Sequence, residues 1–234
     1  MKTELIEYHH QGKTLEAFLA FDSSAKGAPT ILIFHAWRGR DEFAIEKAKA
    51  LAEKGYVGVA LDCYGKGILG SCPEENQALM EPFIKDRTFL LKRMEAGVEA
   101  VIAHSAVDPK KMSAIGFCFG GLCALDLARS GADIQGVISF HGLLNPPSYV
   151  SKPKGKLLVL HGYDDPMVPP EEVQAFEKEM TEAGADWQLH VYGKTVHAFT
   201  NPIANDPQAG TVYSPLAEAR AFQSLYNFLS EIYQ

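Results

Sequence analysis

Gly116-Phe117-Cys118-Phe119-Gly120-Gly121 sets a cysteine between glycines two positions away on either side. This is the G-x-nucleophile-x-G spacing of a tight strand-to-helix turn that lifts its central side chain above a sheet. The glycines leave room where side chains would collide with neighbouring backbone. The N–H groups that open the following helix favour a thiolate, and the Phe119 N–H offers one oxyanion donor. A nucleophile of this kind needs an acid and a histidine, expected downstream in that order. His161-Gly162-Tyr163-Asp164-Asp165-Pro166-Met167-Val168-Pro169 supplies the acid, and Gly193-Lys194-Thr195-Val196-His197-Ala198-Phe199 supplies the histidine. Asp165 is the expected acid, Asp164 competes with it, and spacing alone leaves that choice open. Each of the three also has a plainer reading, as a buried thiol, a turn aspartate and a loop histidine. Their order, each after an expected strand, favours a single site.

The elements that must position these residues alternate as short β-type runs and helical patterns, the mark of βα units around a mostly parallel sheet. Strands are expected at Glu4–His9 and Thr14–Phe21, joined at Gln11-Gly12-Lys13, and then at Thr30–Phe34 and Tyr56–Leu61. Further strands are expected at Lys111–Ile115, Gly136–Phe140, Lys156–Leu160 and Trp187–Tyr192. Helices are expected over residues 41–54, over about 85–104, from near Cys118, over Glu171–Ala183, and from Ser214-Pro215 to the end. Apolar residues at helical spacing and Gly or Pro at the ends carry those assignments. Three long loops, roughly 62–84, 141–155 and 200–213, are candidates for function. Tyr64–Pro82 within the first is a candidate lid. The expected fold is α/β, a mostly parallel sheet of about seven or eight strands with helices on both faces. Residues 1–234 read as one domain without a large cap.

Composition excludes several classes of function. Basic residues number 22 against 29 acidic, a net charge of −7 with no long run of either sign. That balance argues against a nucleic-acid or anionic-membrane binder. No apolar stretch approaches the length of a spanning helix, and Met1–Glu7 lack a secretory apolar segment. Cys63, Cys72, Cys118 and Cys123 include no CxxC pair, and a reduced, cytoplasmic chain is expected. Cys63, Cys72 and Cys123 read as background thiols. The histidines form no metal-ligand spacing, so neither metal nor cofactor is expected.

The Cys118 elbow, His161-Gly162-x-x-Asp165-Pro166-x-Val168-Pro169 and Val196-His197-x-Phe199 together resemble the dienelactone hydrolase family of the α/β-hydrolase fold. The likeness runs from about residue 15 to the end and includes Met94-Glu95-Ala96-Gly97-Val98. It implies a triad of Cys118, Asp165 and His197, attack of sulfur on an ester or lactone carbonyl, and a thioester intermediate hydrolysed with His197 as base. It implies the Trp37 N–H as a second oxyanion donor. The sequence departs from the family at His35-Ala36-Trp37-Arg38-Gly39, where Ala36 stands in place of an acidic residue. It departs again after His197, where Ala198-Phe199-Thr200-Asn201 lack the arginine that holds a substrate carboxylate. Arg38, Arg87 and His35 are the remaining candidates for substrate contact, with Arg93 and Lys85 near Arg87. The expected partner is a small ester or lactone bound by a monomer or small homo-oligomer. A non-catalytic ligand-binding or cysteine redox-sensing protein of the same fold is the competing reading.

Overall fold

The computed structural model describes residues 1–24 and 27–234. Eight strands form one sheet: β1 (Lys2–His10), β2 (Lys13–Phe21), β3 (Thr30–Phe34), β4 (Val57–Leu61), β5 (Met112–Phe117), β6 (Gly136–Phe140), β7 (Lys156–Gly162) and β8 (Trp187–Tyr192). Their spatial order is β1-β2-β4-β3-β5-β6-β7-β8. The helices are α1 (Glu42–Glu53), α2 (Pro73–Lys85), α3 (Arg87–Ile102), α4 (Phe119–Arg129), α5 (Pro170–Glu182) and α6 (Pro215–Ile232). This is the α/β-hydrolase architecture, and no large cap stands among the described residues. No helix among them is long and apolar enough to cross a membrane. The chain divides into two compact units, Met1–Ile115 and Gly116–Gln234.

In the first unit, β1 pairs antiparallel with β2 and β2 with β4, while β3 and β4 run parallel. Every residue of β3 and β4 is buried, so their continuous apolar runs fit strands covered on both faces. β1 lies at the sheet edge with several exposed positions, among them Leu5. Asp41 caps α1 through the Ala44 N–H, and Asp86 caps α3 through the Phe89 N–H at 2.8 Å. The 62–84 stretch, read as a loop, contains α2. Its opening Cys72-Pro73-Glu74-Glu75 is a helix start, with proline at the first helical position and acids in the first turn. Pro82 lies inside that helix, which is why the sequence pattern reads as broken there. Segment 64–70 is fastened to the 37–40 turn. Tyr64 Oη donates to the Trp37 carbonyl at 3.0 Å, Arg38 Nε to the Gly70 carbonyl at 3.1 Å, and the Gly70 N–H to the Arg38 carbonyl at 2.9 Å.

The second unit packs α4 and α6 against β6, which runs parallel to β7, as β7 does to β8. β8 lies at the other sheet edge and is only partly buried. A second, two-stranded sheet, β9 (Asn205–Asp206) with β10 (Thr211–Val212), occupies the 200–213 stretch. Two-residue strands lie below what an alternating pattern can signal. Loop 141–155 has no regular element and is held by Arg129 at the end of α4. Its Nη2 donates to the Leu144 carbonyl, and the Ser151 N–H and hydroxyl donate to the Arg129 carbonyl.

The same guanidinium is fully buried and meets Glu179 of α5 in a fork, Nε–Oε1 at 2.8 Å and Nη2–Oε2 at 2.7 Å. Removing one partner of such a pair strands the other charge in a dry site. Asp126 Oδ1, 3.6 Å from the guanidinium, covers part of that loss. Glu179→Ala is therefore expected to lower stability by about 3 kcal/mol in urea unfolding, the low end for a broken buried pair. A loss below about 0.5 kcal/mol would class the pair with exposed salt bridges.

Candidate active site

The elbow forms where the glycine spacing places it. β5 ends at Phe117, Cys118 takes φ +56° and ψ −117°, and α4 begins at Phe119. A left-handed φ on a non-glycine residue is strained backbone, of the kind retained at working sites. Gly116 shows why the turn tolerates no bulk, because a Cβ there would sit 1.8 Å from the Gly120 carbonyl oxygen. The Cys118 N–H donates to the Phe140 carbonyl at 3.0 Å, which ties the elbow to β6. The Gly121 N–H donates to the Cys118 carbonyl at 2.9 Å and starts the helix. Cys118 is partly exposed, as a nucleophile must be to meet substrate.

Asp165 lies in the turn after β7 and is 3% exposed, whereas Asp164 beside it is exposed. Of the two, Asp165 is the one that meets His197. Its Oδ2 accepts from His197 Nδ1 at 2.8 Å, and its Oδ1 accepts from the Met167 N–H at 2.9 Å. Both carboxylate oxygens are thus engaged. His197, in the turn beyond β8, is 1% exposed. Burial pulls its basicity down, but the Cys118 charge and the Asp165 hydrogen bond and charge outweigh burial and raise its pKa to about 10. Nδ1 holds Asp165, so Nε2 is the nitrogen left for sulfur. Nε2 makes no aligned hydrogen bond although the Cys118 sulfur interacts with the ring, and catalytic contacts are often this loose before substrate binds.

Two more histidines share this interior. His141 follows β6 at φ +39°, and its Nε2 contacts Thr200 Oγ1 at 2.8 Å. Its ring meets His197 edge-on at 5.1 Å between centroids. Burial and the His197 charge push His141 well below the usual histidine range. His161, at the end of β7, is pushed down by burial, against the Asp165 charge and with the help of His197. Of the three imidazoles, His197 is the one whose pKa is raised. The motif spacing gives neither His141 nor His161 a role. Their signal was position, since His141 and His161 close neighbouring parallel strands at the carboxyl edge where α/β sheets place ligands.

The other expected site residues lie in the first unit. His35 is buried. Its Nδ1 donates to the Ala36 carbonyl at 2.6 Å, and its Nε2 accepts from the Cys63 N–H at 3.1 Å. Both ring nitrogens are spent on backbone. Arg38 is exposed and bound to Gly70, Arg87 is buried in α3, and Trp37 is partly buried. Arg93 is buried over the Phe83 and Phe89 rings and donates to the Cys63 carbonyl and to His10 Nδ1, each at 2.8 Å. Among the described residues, no cluster of three or more His, Cys, Asp or Glu side chains could hold a metal ion.

The sequence model of the dienelactone hydrolase family matches residues 15–233. The chain belongs to that family. It is 27% identical to a putative carboxymethylenebutenolidase of Aquifex aeolicus, over 96% of each chain. A solved structure named m3DLH superposes with a TM-score of 0.93 at 34% identity, covering 99% of this chain and 98% of the other. A dienelactone hydrolase-like promiscuous phosphotriesterase from metagenomic libraries superposes with a TM-score of 0.93 at 31% identity over the same shares. This dienelactone hydrolase family member is a carboxylic ester hydrolase.

The raised His197 pKa has a direct readout in thiol reactivity. In a Cys72→Ser background, which removes the other partly exposed thiol, alkylation of Cys118 by iodoacetamide is followed against pH. An ordinary thiol ionises near 8.5. With the imidazolium beside it, sulfur stays anionic well below that value, and His197→Gln should slow alkylation at pH 6 by about tenfold or more. Equal rates at pH 6 would show that His197 does not hold the thiolate.

Proposed function

We propose that Cys118, His197 and Asp165 act as nucleophile, general acid–base and orienting carboxylate in hydrolysis of a small ester or lactone. The observation that carries this reading is the buried Asp165–His197 hydrogen bond, with the remaining ring nitrogen left for a partly exposed cysteine on a strained elbow. Sulfur attacks the carbonyl carbon, and the oxyanion takes the Phe119 N–H at the start of α4 as a donor. The Trp37 N–H is the second donor that the family resemblance implies. As the tetrahedral adduct collapses, the ester C–O bond breaks and Nε2 protonates the departing alkoxide. A lactone substrate keeps that alcohol on the acyl chain. Water then gives a proton to Nε2 and attacks the thioester, and sulfur leaves as thiolate. Asp165 keeps the ring oriented with Nε2 toward sulfur throughout. The span of the family match supports one hydrolase domain over residues 1–234, and the four thiols fit a cytoplasmic chain.

Substrate choice follows from charge. Ala198-Phe199-Thr200-Asn201 offer no cation beside His197, and Arg93 is committed to Cys63 and His10. An uncharged ester or lactone is the better substrate on this reading than a dienelactone carboxylate. A panel of p-nitrophenyl esters, neutral lactones, dienelactone and a phosphate triester tests it, the triester because of the metagenomic relative. Wild type should favour neutral esters or lactones by kcat/KM. Cys118→Ala should lose about a thousandfold or more in kcat, as removal of a covalent nucleophile does. Matching rates in the two proteins would overturn the nucleophile, and preference for dienelactone would overturn the substrate reading.

A further inference from the structure

Asp165 and His197 lie 32 residues apart on separate turns, so something must fix the distance between them. Besides their own hydrogen bond, the Asp164 N–H donates to the Thr195 carbonyl at 2.9 Å and ties the two turns directly, and a second connection passes through the segment that opens β10. The His197 N–H donates to the Gly210 carbonyl at 3.0 Å, and the Val212 N–H donates to the His197 carbonyl at 3.2 Å. His197 thus pairs with Thr211 in an isolated parallel bridge, both faces of its peptide held by this strand. At the same segment, Gly210 is buried against Pro166, the residue after Asp165. A Cβ on Gly210 would lie 2.3 Å from Pro166 Cγ and 2.7 Å from Cδ. Gly210 also takes φ +67°, where a side chain adds backbone strain.

Building on the triad reading above, we propose that Gly210 is a positioning residue that sets the Asp165–His197 hydrogen bond. Its carbonyl fixes the histidine turn, and its bare α-carbon lets the Asp165–Pro166 turn close onto the same strand. A side chain at 210 drives Pro166 away, carries Asp165 with it, and lengthens a bond that helps to raise the His197 pKa. Asp165 raises the His197 pKa both by hydrogen bond and by charge, so a displaced Asp165 lets that value fall. The imidazolium proton needed by the leaving group is then lost at lower pH, and the alkaline limb of kcat/KM moves down.

Pro166 supplies the control that separates positioning from general damage. Pro166→Ala removes Cγ and Cδ and leaves only Cβ, which would lie 3.6 Å from a new methyl at 210. That is ordinary contact distance, while the φ strain at 210 remains. The experiment compares wild type, Gly210→Ala, Pro166→Ala and the double variant by kcat/KM against pH with a p-nitrophenyl ester. The low-field proton NMR signal of the His197 Nδ1–H is recorded in parallel, and needs no turnover. Gly210→Ala should shift the alkaline limb down by about one pH unit or more and weaken or move that signal. The double variant should return both toward the Pro166→Ala values, although its thermal stability stays low. A limb and signal unchanged in Gly210→Ala, or changes that Pro166→Ala does not reverse, would overturn the proposal. Asp165→Asn must shift the same limb if the triad reading holds. A limb indifferent to Asp165→Asn would sink that reading instead, so the two failures are distinguishable.

Discussion

The hydrogen bond between a fully enclosed carboxylate and a fully enclosed imidazole is the constraint around which the second unit is arranged. Burial alone would leave His197 neutral, and burial is the largest single influence on it. Its pKa is raised because the Cys118 sulfur on one side and the Asp165 carboxylate on the other outweigh burial. Neighbouring groups reinforce this by declining protons of their own. His141 and His161 sit in the same dry interior and are pushed toward the neutral form, partly by the charge on His197. Environments that separate the acidities of like groups are how a site assigns different roles to identical side chains.

The local features that produce this pair are ordinary chain geometry. Parallel strands end at one edge, and each turn that follows presents one side chain there. Cys118 needs a backbone that only a crowded, glycine-flanked turn imposes. Asp165 needs its second oxygen satisfied, which the Met167 N–H does within the same turn. His197 needs its peptide held on both sides, which a two-residue strand does. The first unit shows a similar economy, with the side chains and carbonyls of the 35–40 turn bonded into the segment leading to α2.

Much of this was legible in the sequence because local pattern and covalent order carried it. All eight strands of the main sheet follow from apolar runs and turn residues, with end points off by one or two residues, as at Glu4 against Lys2 and Leu160 against Gly162. The order of the expected nucleophile, acid and histidine came from the same pattern. What stayed hidden depends on contacts between distant residues. Asp164 and Asp165 are indistinguishable until burial separates them. α2 was obscured by Pro82 within it, and the β9–β10 pair by its brevity. Thr200 had no pattern at all, because its surroundings exist only in the folded chain. His35 read as a site residue from its place after β3, but its ring nitrogens serve the backbone around Cys63.

The charge on His197 has a consequence for what else this scaffold could host. The His197 pKa is raised first by the charge of the residue at 118 and then by Asp165, whereas a hydroxyl brings no charge. With a serine at the elbow, Asp165 alone would oppose burial, and the imidazole would relax toward the uncharged form that an alcohol nucleophile requires of its base. On the proposed mechanism, sulfur and oxygen nucleophiles would thus be neighbouring solutions on one backbone, a single side-chain atom apart.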